Sequence, residues 1–156
     1  MHTLARENGF TVRHASAGDA AEVHGLSCQL AAAIGDSPPE RGAVGERLEE
    51  LISEPRARVL VAEEDSGVKG VATLWIKPDL AHGDTVIEVP TIVVDESRRG
   101  LGLGKLMMRA VRDIAAEHGA SLIELVATRD NAAARAFYKS LGFVETAHIS
   151  LEYVGG

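Results

Sequence analysis

Arg99-Gly100-Leu101-Gly102-Leu103-Gly104 stands between two stretches of opposite periodicity. Before it, Val86-Ile87-Glu88-Val89-Pro90-Thr91-Ile92-Val93-Val94 is rich in β-branched residues and reads as a strand interrupted by one proline. After it, Leu103, Leu106, Met107, Ala110, Val111 and Ile114 recur at spacings of three and four, and Gly119 stands where a left-handed cap would end a helix. The unit is strand, glycine turn, helix. Successive amides in such a turn, added to the positive end of the helix dipole, favour phosphate oxygens without requiring a basic side chain. Arg98, Arg99, Lys105 and Arg109 crowd the same stretch, although Arg109 could also pair with Asp113 on a solvated helix face.

Spacing narrows the kind of anion site. A P-loop needs glycine where Arg99 stands and Ser or Thr where Leu106 sits. A dinucleotide fingerprint begun at Gly100 puts its third glycine on Lys105, and begun at Gly102 puts it on Met107. What remains is Arg99-x-x-Gly102-x-Gly104, followed about thirty residues on by Asn131-x-x-Ala134-x-x-Phe137-Tyr138-x-x-x-Gly142-Phe143. Two ordered motifs at this separation resemble the acyl-CoA pyrophosphate motif and the later signature of the GNAT N-acetyltransferase superfamily. The resemblance runs from about Val86 to Phe143, and residues 1 to 55 carry no motif.

The resemblance implies a mixed α/β fold in one domain over residues 1–156: a central, mostly antiparallel sheet with its fourth and fifth strands splayed, and helices on both faces. It also implies acetyl-CoA as cosubstrate. Its pyrophosphate would lie on the backbone of Arg99, Gly100, Leu101, Gly102, Leu103, Gly104 and Lys105. Its pantetheine arm would use the main chain of Ile92, Val93 and Val94, while Asn131 donates a hydrogen bond and doubles as a helix N-cap. Pro90 supports the splay, since proline within a strand removes a ladder donor and marks a bulge or the end of pairing.

The remaining elements follow from pattern. Phe10 to Ala15 reads as a first strand, and an alanine-rich helix runs to about Ala33. Gly35-Asp36-Ser37-Pro38-Pro39-Glu40 breaks it, as a candidate substrate loop, before a short helix marked by Val44, Leu48, Leu51 and Ile52. Val59–Ala62 and Val71–Ile76 form a hairpin across Asp65-Ser66-Gly67. Leu122–Ala127 gives a fifth strand, Ala132–Ser140 a short helix, and Val144–Val154 a closing strand.

Composition bounds the rest. In 156 residues, 46% hydrophobic and 25% charged, no apolar run approaches the ~18 needed to cross a bilayer. The stretch from Met1 to Gly9 lacks the features of a secretory signal, so a cytoplasmic location is expected, with no membrane partner. Cys28, the sole cysteine, excludes an intrachain disulfide and reads as a small apolar helix residue. The six histidines show no metal-ligand spacing, and no metal is expected. A net charge of −7 argues against a nucleic-acid partner and mildly favours cationic substrates.

Acyl transfer from a thioester to an amine needs a neutral nucleophile and a proton for the departing thiolate. A lysine-like amine, with a pKa of about 10.4, is unprotonated in only about one molecule in a few thousand at pH 7. The resemblance implies Tyr138 as general acid. Glu88 is the candidate base through an ordered water, although the family's commonest carboxylate position falls here on Pro90, about 6.7 Å along the strand. A bulge at Pro90 would turn Glu88 to another face. The fifth-strand glutamate of relatives that modify protein N-termini falls on Val126, two residues from Glu124, which weakens a protein-N-terminus reading. The expected function is therefore direct acetyl transfer to a primary amine of a small molecule, chosen by the Asp36–Gly42 loop and the stretch from His148 to Tyr153, with Trp75 either lining the cleft or packed in the core. The alternative is a catalytically weak acyl-CoA-binding or regulatory module. Many relatives dimerise, so a homodimer is admitted.

Overall fold

Alternation builds the sheet. In the computed structural model, β3 (Ala57–Glu64) and β4 (Gly67–Asp79) pair in antiparallel register, so Val59 and Val61 face one side with Val71 and Thr73, while Leu60 and Ala62 face the other with Ala72 and Gly70. Residues 2–155 are described; Met1 and Gly156, the two ends of the expected 1–156 domain, lie outside the described residues. By internal contacts the chain divides into two compact units, one ending at Val126 and the other beginning at Ala127.

The first unit holds a six-stranded sheet in the order β1-β2-β3-β4-β5-β6. Its other strands are β1 (Thr3–Glu7), β2 (Phe10–His14), β5 (Asp84–Val94) and β6 (Leu122–Glu124). All neighbours are antiparallel except β5 and β6, which are parallel. Helices α1 (Ala20–Ala33) and α2 (Arg41–Ser53) cover one face, where Val23, Leu26 and Leu48 join Val59, Val61 and Val71 in one apolar cluster. Helix α3 (Leu103–Glu117) covers the other. Met107 of α3 lies so close to Gly70 that a Cβ there would meet its Sδ at 3.1 Å. The expected mostly antiparallel sheet with helices on both faces is found.

Two expectations change. Residues 3–7 form β1, joined to β2 by Asn8 and Gly9 at φ 53° and 83°, the paired left-handed conformation of a tight hairpin turn. The expected fourth and fifth strands are therefore β5 and β6. The closing strand expected over Val144–Val154 does not form: these residues carry no strand assignment, and Val144, Ile149, Leu151, Tyr153 and Val154 are exposed. An alternating apolar pattern makes a strand only when a ladder partner takes its backbone groups. The fifth strand likewise stops at Glu124 rather than Ala127.

A buried ion pair ties the first unit together. Arg13 of β2 meets Asp19, at the end of a short 3₁₀ turn, with bonds of 2.8 and 2.9 Å, and reaches Glu63 of β3 at 3.0 Å. Asp19 also accepts from the Ser16 amide at 2.8 Å. The Arg13 guanidinium holds the Asp19 carboxyl below the usual carboxylate range. Removing one partner of such a pair costs about 3–5 kcal/mol.

The second unit is built on α4 (Ala132–Ser140). Asn131 caps it, its Oδ1 accepting from the Ala134 amide at 3.0 Å. Arg135 ties the helix to Glu145 through two bonds of 2.8 Å. Past the helix end, the Phe143 amide donates to the Tyr138 carbonyl at 3.1 Å.

Candidate active site

Pro90 organises the site through a bulge. Thr91 pairs with Thr73, and the next pair is Glu88 with Trp75, so Val89 and Pro90 together oppose Leu74 alone. The extra residue reverses the alternation. Glu88 lands on the sheet face of Thr91 and Thr73, the face covered by α1 and α2, instead of the face that unbroken alternation would assign it with Pro90.

The same region is where the strands part. β5 pairs with β6 only at Val86↔Leu122, Ile87↔Ile123 and Glu88↔Glu124, and then runs on to Val94. Beyond Glu88, the edge of β5 turned away from β4 has no strand partner among the described residues. Ile92, Val93 and Val94 keep their side chains buried while this backbone edge stays unpaired. The expected splay is present.

The glycine turn follows at once. Asp95 caps a 3₁₀ turn (Glu96–Arg98), its side chain accepting from the Ser97 amide at 3.1 Å. Gly100 and Gly102 adopt φ 78° and 82°, and Gly102 is the N-cap of α3. At Gly102 a β-branched residue would be strained whatever space surrounds it. The first helical amides, from Leu103 to Lys105, have no intrahelical acceptor and form the positive end of the helix. Arg99, Leu101 and Lys105 are exposed, while Leu103 and Gly104 are buried in α3 and present only backbone to this end.

Gln29 was invisible to motif reading. From α1, 66 residues away in sequence, its Nε2 donates to Asp95 Oδ1 at 2.7 Å, and its Oε1 accepts from the Glu96 amide at 3.0 Å. The Asp95 amide donates to the Lys69 carbonyl at 2.8 Å. Hydrogen bonds from Ser97, and then from Gln29, hold the Asp95 carboxyl below its ordinary range. Gln29 thus fixes where β5 ends and the turn begins, and only a fold-level contact could have revealed it.

Glu88 is half-exposed and bonded to Lys77 Nζ at 2.8 Å, a contact that raises the Lys77 pKa. Between α1, α2 and the sheet lies a groove of about 270 Å³, walled by Val23, Val44, Leu48, Leu51 and Val71, with Thr73 and Thr91 on its floor. Pro39 from the expected substrate loop also lines it. Trp75 is half-buried on the same sheet face.

In the second unit Tyr138 is half-buried beside Phe137 and Phe143, at ring-centroid distances of 5.5 and 6.1 Å. Burial pushes its phenol pKa up, so the ring oxygen keeps its proton at neutral pH. Asn131 spends Oδ1 on its cap and retains the side-chain amide hydrogens as donors.

Among the described residues, no helix is long and apolar enough to cross a membrane, and no three His, Cys, Asp or Glu side chains gather where a metal could be held.

Comparison with known proteins bears on this arrangement. The chain matches the Acetyltransferase (GNAT) family over residues 28–143. It is 31% identical over 122 residues to a mycothiol acetyltransferase of Kocuria rhizophila, a match that takes in 74% of this chain and 40% of that protein. The chain thus spans less than half the length of this curated relative. Among solved structures it superposes on a transcriptional regulator from Bacillus halodurans C-125 with a TM-score of 0.82 at 20% identity, covering 94% of this chain and 99% of that one. An aminoglycoside acetyltransferase from an uncultured soil metagenomic sample superposes with a TM-score of 0.78 at 19% identity, covering 96% and 99%. At such identities the structural likeness shows the fold alone.

Proposed function

The chain belongs to the GNAT family of acetyltransferases, and on that premise we propose that it is an acetyl-CoA-dependent N-acetyltransferase acting directly on a primary amine of a small molecule. One observation carries the reading: the unpaired edge of β5 leads, through one 3₁₀ turn, into the left-handed glycines and free amides that open α3. A row of unpaired main-chain groups ending in an amide nest suits a flexible amide-bearing arm followed by a pyrophosphate.

Acetyl-CoA supplies the thioester acetyl group. Arg99, Gly100, Leu101, Gly102, Leu103, Gly104 and Lys105 take the pyrophosphate on their amides, with the Arg99 and Lys105 charges adding attraction. Ile92, Val93 and Val94 orient the arm through their backbone, and Asn131 donates a further hydrogen bond. The amine nitrogen bonds to the acetyl carbon as the carbon–sulfur bond breaks. Its proton leaves toward Glu88 through water, and the Tyr138 phenol reprotonates the thiolate. The same reading carries a cytoplasmic setting, no metal, and no nucleic-acid or membrane partner; it is compatible with a homodimer.

The ion pair between Lys77 and Glu88 favours a second reading, an acyl-CoA-binding or regulatory module, because a carboxylate oxygen already occupied by an ammonium is less accessible to an acceptor. Isothermal titration with acetyl-CoA tests the shared premise. Binding is expected at micromolar concentrations and should weaken at least about 100-fold in Gly102→Val, where valine meets a backbone conformation it rarely adopts. No binding to the wild-type chain at millimolar acetyl-CoA would falsify both readings.

A further inference from the structure

The groove under α1 and α2 is poor in free polar groups. Its Ser27 hydroxyl donates to the Val23 carbonyl at 2.9 Å, and Arg47, at its margin, is bonded to Glu50 at 2.7 Å with Glu46 at 3.5 Å. Only the hydroxyls of Thr73 and Thr91 are left to serve a ligand from the floor. A polyhydroxylated body placed there would lose water without regaining hydrogen bonds, at a cost of about 1–3 kcal/mol per unmatched group. An apolar body would lose nothing of that kind.

Charge lies at one end of the groove. One ladder pair beyond Thr73 and Thr91, on the same face, come Trp75 and Glu88, and Glu88 stands in register with Glu124 across β6. Lys77 is bonded to Glu88 and feels both carboxylates. Two carboxylates against one ammonium leave a net negative charge where the strands separate, with the half-buried Trp75 beside it as a second attraction for a cation. Arg47, at the margin, engages Glu50 and Glu46 through Nη2 alone.

Resting on the proposed acetyltransferase function, we infer that the acceptor is an alkyl- or arylalkylamine, its apolar body seated between α1, α2 and the floor threonines and its ammonium directed toward Glu88 and Glu124. The groove thereby selects against amino sugars and other polyol amines.

The test uses the full chain in the presence of CoA. Saturation-transfer NMR with phenethylamine and with glucosamine reads occupancy of the groove, and thiol release from acetyl-CoA reads turnover. Phenethylamine is expected to receive saturation and to show a kcat/KM at least about ten-fold above that of glucosamine. Ala43→Trp, which fills the groove from α2, is expected to raise the phenethylamine KM at least about ten-fold. The same variant should leave the acetyl-CoA Kd within about two-fold. Ser27→Phe does the same from α1, so the result does not hang on one variant folding. Preference for glucosamine, or an unchanged phenethylamine KM in both folded variants, overturns the inference while leaving the proposed function standing. Absence of acetyl-CoA binding contradicts the proposed function instead, and the NMR comparison then still decides what the groove accepts.

Discussion

The proposed donor and acceptor sides of the first unit are made of different material. The donor side is backbone: an unpaired strand edge, two left-handed glycines and the first amides of α3. The acceptor side is side chains, brought by α1, α2, β3, β4 and β5 to a groove that no short stretch of sequence contains. Backbone geometry is written locally, in glycine spacing and the placement of a proline, and one cradle of this kind serves any acceptor. Side-chain walls are free to vary, so on the proposed reading they carry the choice of acceptor.

If the two sides are independent, chemistry can be removed without disturbing the cradle. Tyr138→Phe is expected to lower thiol release by about 100-fold, the scale of a lost general acid, with the acetyl-CoA Kd unchanged. Because burial raises the wild-type phenol pKa, the acid form persists above its ordinary value of about 10. The kcat profile should therefore keep its plateau to that pH and fall only beyond it, a limb that the phenylalanine variant lacks. An unaffected rate removes Tyr138 from the mechanism.

A smaller effect probes where the two sides share a part. Gln29 sits on α1, a wall of the acceptor groove, yet holds Asp95 and Glu96 at the start of the donor turn. Gln29→Leu keeps the volume and removes both hydrogen bonds, each worth about 1 kcal/mol, so acetyl-CoA binding should weaken by on the order of ten-fold. Titration of the variant reads this directly. An unchanged Kd would mean that the turn holds its shape without α1.

Much of the fold was legible because its signals are local. The strand, glycine turn and helix from Val86 to Gly119 appear where periodicity and spacing put them, and α4 spans the expected Ala132–Ser140. The bulge at Pro90 is legible in the same way, since a proline within a strand breaks the ladder and redirects Glu88. β1 lies outside the expected elements, although Asn8-Gly9 is a strong hairpin signal. The closing strand failed for the opposite reason: Ile149, Leu151 and Tyr153 alternate as a strand would, but pairing is non-local and these side chains are exposed. Gln29 and the groove lay beyond sequence reading altogether, since each depends on residues that meet only in the folded chain.

The central claim is that acetyl-CoA is held by main-chain groups of the first unit. Amide hydrogen exchange, followed with and without saturating acetyl-CoA, reads those groups one by one. Exchange is expected to slow across Gly100–Lys105 and at the unpaired edge from Ile92 to Val94, with no change in the β3–β4 hairpin. Saturated binding that leaves both segments exchanging at their free rate would contradict the account.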